Sequence, residues 1–171
     1  MVANKFPALQ IEGPLNKEGQ GIYDKMSGVG AHEVIIEHPH HDATFTTFTP
    51  EEVEKILWAY RERSLDLRRD RRFKYLLVFK NSGRSAGASL EHTHSQLIAT
   101  PVVPKRVIEE LHGAESYFAY KERCVWCDIL RQELQTRNRI VAENDGFVAL
   151  TPFASRFPFD SFLFLDCVAF F

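Results

Sequence analysis

The chain has 171 residues, 44% apolar and 26% charged, the proportions of a soluble globular protein that can bury a core without disulfide staples. Its 21 basic and 23 acidic side chains give a net charge of −2 and a pI of about 6.4, which argues against a general nucleic-acid binder. No run reaches about 18 apolar residues, and residues 1–20 lack an apolar signal-peptide core, so no membrane span or secretory leader is read and a cytoplasmic location is expected.

Residues 6–11 are short and apolar until Glu12, Gly13 and Pro14 break them. Residues 16–30 hold four glycines among polar residues and read as a loop. Residues 33–37 are β-branched at their centre and predict a buried strand, followed by the cluster His38, His40, His41. Thr49, Pro50, Glu51 and Glu52 predict a helix start: a capping hydroxyl, a proline in the first turn and two acids at the positive dipole end. Val53, Ile56, Leu57 and Tyr60 supply one apolar face, and the helix is expected to run to about Arg69. The arginines at 61, 63, 68, 69, 71 and 72 read as a solvated face.

Residues 75–79 predict a second buried strand, 81–88 a glycine- and serine-bearing loop, and 90–100 a third strand closed by Pro101 and Pro104. Helices are expected over 105–112, around 116–122, and over 127–136. Residues 140–143 and 147–150 read as a hairpin about the turn signal Asn144-Asp145-Gly146. The apolar tail 161–171, with one charge, reads as a last core strand or as an end lacking its proper continuation. Strands and helices mix without βαβ alternation, so the expected fold class is α+β with a largely antiparallel sheet flanked by helices.

Chemistry concentrates at residues 81–96. On a strand, His92, His94 and Gln96 share one face and Thr93 and Ser95 the other. Two imidazoles and a carboxamide after such a loop suggest a phosphate site, with backbone N–H groups and the Ser89 hydroxyl as donors. An imidazole is largely unprotonated at neutral pH and can attack an α-phosphorus to form a covalent nucleotidyl-histidine. A metal site or two unrelated surface histidines is the plainer alternative. Cys124 and Cys127 form a CxxC pair, which reads as metal or redox before it reads as a staple.

The ordered set Asn81, Gly87, Ser89, His92-x-His94-x-Gln96 resembles the signature of galactose-1-phosphate uridylyltransferases, a branch of the histidine-triad superfamily. The opening Asn4-Lys5-Phe6-Pro7-Ala8-Leu9, the segment from Glu37 to His41, the CxxC pair and the stretch from Pro152 to Phe159 resemble it too, so the likeness covers most of the chain. The subgroup resembled also includes an ADP-glucose phosphorylase-like branch. The resemblance implies a histidine-triad-like fold, with His94 as nucleophile and Gln96 as the hydrogen-bond partner of the phosphoryl oxygens. Asn81 and Ser89 would contact the diphosphate, Gly87 would let it approach closely, and Asn4 and Phe6 would lie by the nucleoside. It implies zinc as cofactor, with His41 and His92 in a first site and Cys124 and Cys127 in a second. The implied reaction, one of galactose metabolism, exchanges a hexose 1-phosphate with a UDP-sugar. No nucleic-acid or membrane partner is implied, and a homodimer is left open.

The sequence departs from that pattern. No CxxC precedes Asn4, and no histidine follows His112, so each zinc site has only two of its ligands. The expectation is an internal piece of a longer protein: residues 1–115 as a first histidine-triad-like domain and 116–171 as the beginning of a second. A single site joining His41, His92, Cys124 and Cys127 is an alternative. An ADP-sugar phosphorylase or nucleotide-sugar hydrolase, or an inactive zinc- or nucleotide-binding remnant, are alternatives for function. Cys167 reads as a core cysteine, and His38 and His40 are given no role.

Overall fold

In the computed structural model the chain is described over residues 1–88 and 90–165. It divides into two compact units, Met1–Pro104 and Lys105–Phe171. In the first, β1 (Val2–Ala3), β4 (Ala31–Ile36), β6 (His94–Thr100) and β5 (Tyr75–Phe79) form one antiparallel sheet in the order β1-β4-β6-β5, and α1 (Pro50–Leu67) packs on one of its faces. Residues 16–30 are more than the expected loop. They carry a small exposed hairpin of β2 (Glu18–Gln20) and β3 (Tyr23–Lys25), turned at Gly21 with φ +64°.

The register fixes what faces what. Ile36 pairs with His94, and Val34 and Phe79 both pair with Gln96. With a side-chain period of two, Ile35, Leu97 and Ala99 turn to the opposite face and form the core with Ala31 and Leu67, edged by Tyr60, Phe73, Leu76 and Val78. A fully buried leucine such as Leu97 contributes roughly 1.5–3 kcal/mol. The strand expected to be buried throughout is therefore half-buried: Ile35 is 3% exposed and Ile36 54%. The third expected strand begins at His94 rather than residue 90.

α1 starts as its sequence dictates. The Thr49 hydroxyl accepts from the Glu52 amide at 3.3 Å, and the Glu52 carboxylate accepts from the Thr49 amide at 2.8 Å, a reciprocal capping box. Thr49→Ala is expected to cost about 1 kcal/mol. Urea denaturation checks this, and an unchanged midpoint would remove the cap from the account.

The arginine run is not uniformly solvated, contrary to expectation. Arg63 forks onto the Glu33 carboxylate of β4 at 2.7 and 2.5 Å. Arg72 reaches the carbonyls of Ile11 and Gly13 at 2.9 and 2.7 Å and also pairs with Asp70. These two side chains tie α1 and the following turn to β4 and to the N-terminal segment. That segment is seated by Gly30, where an added Cβ would lie 2.4 Å from the Ala99 carbonyl oxygen and 2.6 Å from a Leu9 methyl. Only glycine fits there.

In the second unit, α2 (Lys105–Lys121) is one helix where two were expected, and α3 (Val125–Thr136) follows. The 115/116 boundary drawn from the sequence falls inside α2, whereas the compact units part at Pro104. β7 (Ile140–Glu143), β8 (Phe147–Leu150) and β9 (Phe162–Leu165) form an antiparallel sheet. The Asn144 carboxamide oxygen accepts from the Gly146 and Phe147 amides at 3.0 and 2.9 Å and shapes the expected hairpin turn. Leu130, Val148 and Leu150 form the second core, with Phe162 and Phe164 packed against it. The first residues of the apolar tail are thus a half-buried strand. Cys167 lies outside the described residues. The α+β, antiparallel architecture agrees with the sequence expectation.

Candidate active site

The uncovered face of the first sheet floors a cleft of about 780 Å³, lined by Asn4, Phe6, Ile36, His92, His94 and Gln96 among others. His94 opens β6 and is only 6% exposed. Its Nδ1 lies 2.8 Å from the His92 carbonyl oxygen. A carbonyl only accepts, so Nδ1 carries the proton and, in the neutral ring, Nε2 keeps its lone pair. The sequence grouping of His92, His94 and Gln96 is reproduced, although His92 precedes the strand. Asn4 and Phe6 lie in the same cleft. The Asn4 oxygen accepts from the Phe6 amide at 2.9 Å, and Phe6 is 81% exposed.

Behind His94 lies a polar cluster that sequence reasoning missed. The Glu37 carboxylate is fully buried. It accepts from Lys80 Nζ and from the Thr93 hydroxyl, each at 2.5 Å, and from the Ser95 hydroxyl. The Tyr60 hydroxyl sits 2.5 Å from Ser95 Oγ. Lys80 directs its other N–H bonds to Thr93 Oγ1 at 2.9 Å and to the His94 carbonyl at 3.1 Å. Both neighbours of His94, and its own carbonyl, are thereby held by one ion pair. Burial is the largest single influence on Glu37 and pushes its pKa up. The hydrogen bonds from Lys80, Ser95 and Thr93, with the Lys80 charge, outweigh it and hold the carboxyl below its ordinary value. Burial raises the Tyr60 phenol. The signal was in the sequence: Thr93 and Ser95 alternate with His94 and Gln96, and Glu37 follows directly on the apolar run Val34-Ile35-Ile36.

A second cleft of about 690 Å³ shares His92 and His94 with the first and is lined by Lys80, Asn81 and Arg84. Arg84, a cation the sequence reading passed over, starts a 3-10 turn of residues 84–86. Gly87 ends that turn with φ +79°, a left-handed conformation that itself favours glycine. Ser89, expected to contact the diphosphate, lies outside the described residues.

His41 and His92 come together, their Nδ1 atoms 3.2 Å apart. His92 Nε2 donates to the His38 carbonyl at 2.7 Å, so in the neutral ring its Nδ1 presents a lone pair to His41. Two nitrogens bound to one tetrahedral zinc stand about 3.3 Å apart, so the pair fits half a zinc site. His38, left without a role by sequence reasoning, holds His92 through its carbonyl. Its ring accepts from the His40 amide at 3.0 Å and pairs with Glu52 at 3.1 Å. Cys124 caps α3, and the amides of Cys127 and Trp126 facing its sulfur lower the thiol pKa, which suits a metal-binding thiolate. Among the described residues no three His, Cys, Asp or Glu side chains gather as a metal site. The histidine pair belongs to the first unit and the cysteine pair to the second.

The fold and the site together define an α+β sheet protein with a fixed imidazole in an open cleft. Comparison with known proteins gives the family. The profile described as "Galactose-1-phosphate uridyl transferase, N-terminal domain" matches residues 1–104. The chain belongs to the galactose-1-phosphate uridylyltransferase family. It is 35% identical over 162 residues to an ADP-glucose phosphorylase of Arabidopsis thaliana, covering 94% of this chain and 45% of that protein. It is 31% identical over 158 residues to a galactose-1-phosphate uridylyltransferase of Thermotoga maritima, covering 92% and 49%. The solved structure of a uridylyltransferase superposes with a TM-score of 0.86 at 27% identity, covering 96% of this chain and 52% of that one. The chain spans about half the length of the curated relatives it matches. Among the described residues, no helix is long and apolar enough to cross a membrane.

Proposed function

We propose that this chain carries the nucleotidyl-transfer chemistry of its family, moving a nucleotidyl group from a nucleotide sugar to a hexose 1-phosphate through His94. The observation that carries the reading is the Nδ1 bond of His94 to the His92 carbonyl, which leaves Nε2 as the nucleophilic nitrogen at the cleft. Nε2 attacks the α-phosphorus, a phosphorus–nitrogen bond forms, and the bond to the departing hexose 1-phosphate breaks. The positive charge gained by the ring is shared with the His92 carbonyl through Nδ1–H. An acceptor phosphate oxygen then attacks the same phosphorus and restores the neutral imidazole. Gln96 donates to the phosphoryl oxygens as charge develops. Asn4 and Phe6 flank the nucleoside, while Asn81, Gly87 and Ser89 serve the diphosphate.

Zinc in this reading is structural. His41 and His92 would hold one ion in the first unit and Cys124 and Cys127 another in the second, and each would cross-link loops and take no part in the reaction. With two ligands for each, binding is expected to be weak, and purified chain is expected to keep less than one zinc after desalting. Atomic absorption checks this. One stoichiometric zinc lost on both Cys124→Ala and His92→Ala overturns the two-pair assignment.

A second acceptor has support in the 35% identity to an ADP-glucose phosphorylase, in which inorganic phosphate would replace the hexose 1-phosphate. The test is to incubate the chain with α-labelled UDP-glucose or ADP-glucose without acceptor. It is expected to leave acid-labile label on histidine. Release by galactose 1-phosphate supports the transferase, and release by inorganic phosphate alone supports the phosphorylase. No label with either donor overturns the covalent reading.

A further inference from the structure

His32 is a histidine that neither the sequence reading nor the reaction has used. It lies on β4, directly opposite Ile98 and diagonal to Gln96 across the ladder, within reach of a long side chain. The Ala8 amide donates to its Nδ1 at 3.1 Å. That nitrogen is therefore the acceptor, and in the neutral ring the proton sits on Nε2. Two groups face Nε2: Gln96 Oε1 at 2.9 Å and Asn4 Nδ2 at 3.0 Å. The Asn4 oxygen is already turned away to accept from the Phe6 amide at 2.9 Å, so Asn4 shows His32 only its N–H groups. A donor cannot bond a donor, and the Nε2 proton goes to Gln96.

The consequence concerns which end of Gln96 meets a ligand. A glutamine amide can turn over by rotation about its last bond, exchanging an acceptor for two donors with little change of shape. Because Asn4 already shows Nε2 only N–H groups, the turned-over state would take away the one acceptor that the Nε2 proton has among the groups facing it. No protein acceptor among the described residues takes either Gln96 N–H. We infer that His32 is a positioning residue, fixing the Gln96 carboxamide with its oxygen inward and its two N–H donors presented to an anion in the His94 cleft. The inference rests on the reading of that cleft as a nucleotidyl-transfer site, and it adds a selection against the wrong amide orientation. Turned over, Gln96 would oppose phosphoryl oxygens with its own oxygen. The Ala8 amide and Asn4 belong to the segment that also carries Phe6, so the same short stretch by the nucleoside sets the His32 proton.

The test has two arms. In the first, the side-chain 15N–1H2 signals of Gln96, assigned by their loss in Gln96→Ala, are followed while UMP or AMP is added. In the wild type they are expected to be dispersed and to move on addition. In His32→Ala they are expected to collapse towards the position of a solvated glutamine and to respond weakly. Unchanged signals in His32→Ala overturn the inference whether or not the chain forms an adduct. In the second, the single-turnover rate of label transfer to the protein is measured for the wild type, His32→Ala, Gln96→Ala and the double variant. His32→Ala is expected to slow transfer about ten- to hundredfold, the scale of a misplaced reacting group. The double variant is expected to be no slower than Gln96→Ala alone. A further loss in the double variant shows that His32 acts other than through Gln96 and overturns the inference. No label in the wild type strikes at the covalent reading instead, and the first arm still decides the amide orientation.

Discussion

His94→Ala is expected to abolish covalent labelling and to lower turnover on the order of 10⁴-fold or more, the scale at which a lost nucleophile is felt. Position alone does not single out His94, because His92 lines the same clefts. Their hydrogen bonds do. His92 gives its Nε2 proton to the His38 carbonyl and turns Nδ1 to His41, so neither nitrogen is left for phosphorus. His94 commits Nδ1 alone and keeps Nε2. The loss should be chemical rather than structural, since alanine forfeits one neutral hydrogen bond worth about 0.5–1.5 kcal/mol. His92→Ala should mainly lower zinc retention and thermal stability. The measurement is label per chain beside a melting curve for each variant. Label surviving in His94→Ala, or sequential kinetics without a burst, sinks the double-displacement mechanism.

Glu37→Ala is expected to destabilise the first unit by about 3–5 kcal/mol, because it leaves a paired charge without its partner. Lys80 loses its counter-ion, and the Thr93 and Ser95 hydroxyls lose their acceptor together. Glu37→Gln keeps the shape but brings an amide N–H group among donors, and should cost about 1–3 kcal/mol. The pH dependence has a definite sign. A carboxyl held below its ordinary value stabilises the fold fully above the unfolded-state pKa, and that stabilisation is lost as pH falls through the lowered folded value. Acid should therefore lower the wild-type melting temperature, and Glu37→Gln should flatten that acid limb. Equal acid sensitivity in both proteins would remove Glu37 from the account. Lys80, Thr93, Ser95 and Tyr60 all face Glu37, and none of the four is a second carboxyl.

The sequence made much of this legible, and the reasons differ from element to element. The start of α1 and the 144–146 turn are local: Thr49 caps Glu52, and Asn144 caps its own turn. Period two in residues 92–96 was enough to separate the cleft side from the core side. What escaped was non-local. Residues 105–121 are one helix running through Gly113, where two shorter helices were expected. The roles of Arg63, Arg72 and Glu37 depend on partners distant in sequence: Glu33 is 30 residues from Arg63, Gly13 is 59 from Arg72, and Lys80 and Ser95 are 43 and 58 from Glu37. His32 was passed over because its neighbours in sequence say nothing; its partners, Ala8 and Gln96, come from two other segments.

The pairing of β4 with β6 has an evolutionary consequence. The strand is read by parity: even positions 94 and 96 face the cleft, and odd positions 95, 97 and 99 face the core. Inserting or deleting a single residue inside β6 would interchange the two sets, sending Leu97 to the anion and an imidazole into the oily interior. A length change is therefore far more disruptive in the strand than in the preceding stretch, 81–88, which holds its turn without strand pairing. That stretch can be lengthened or recomposed while His94 keeps its place on the sheet. The register that fixes His94 leaves the residues ahead of the strand free to change.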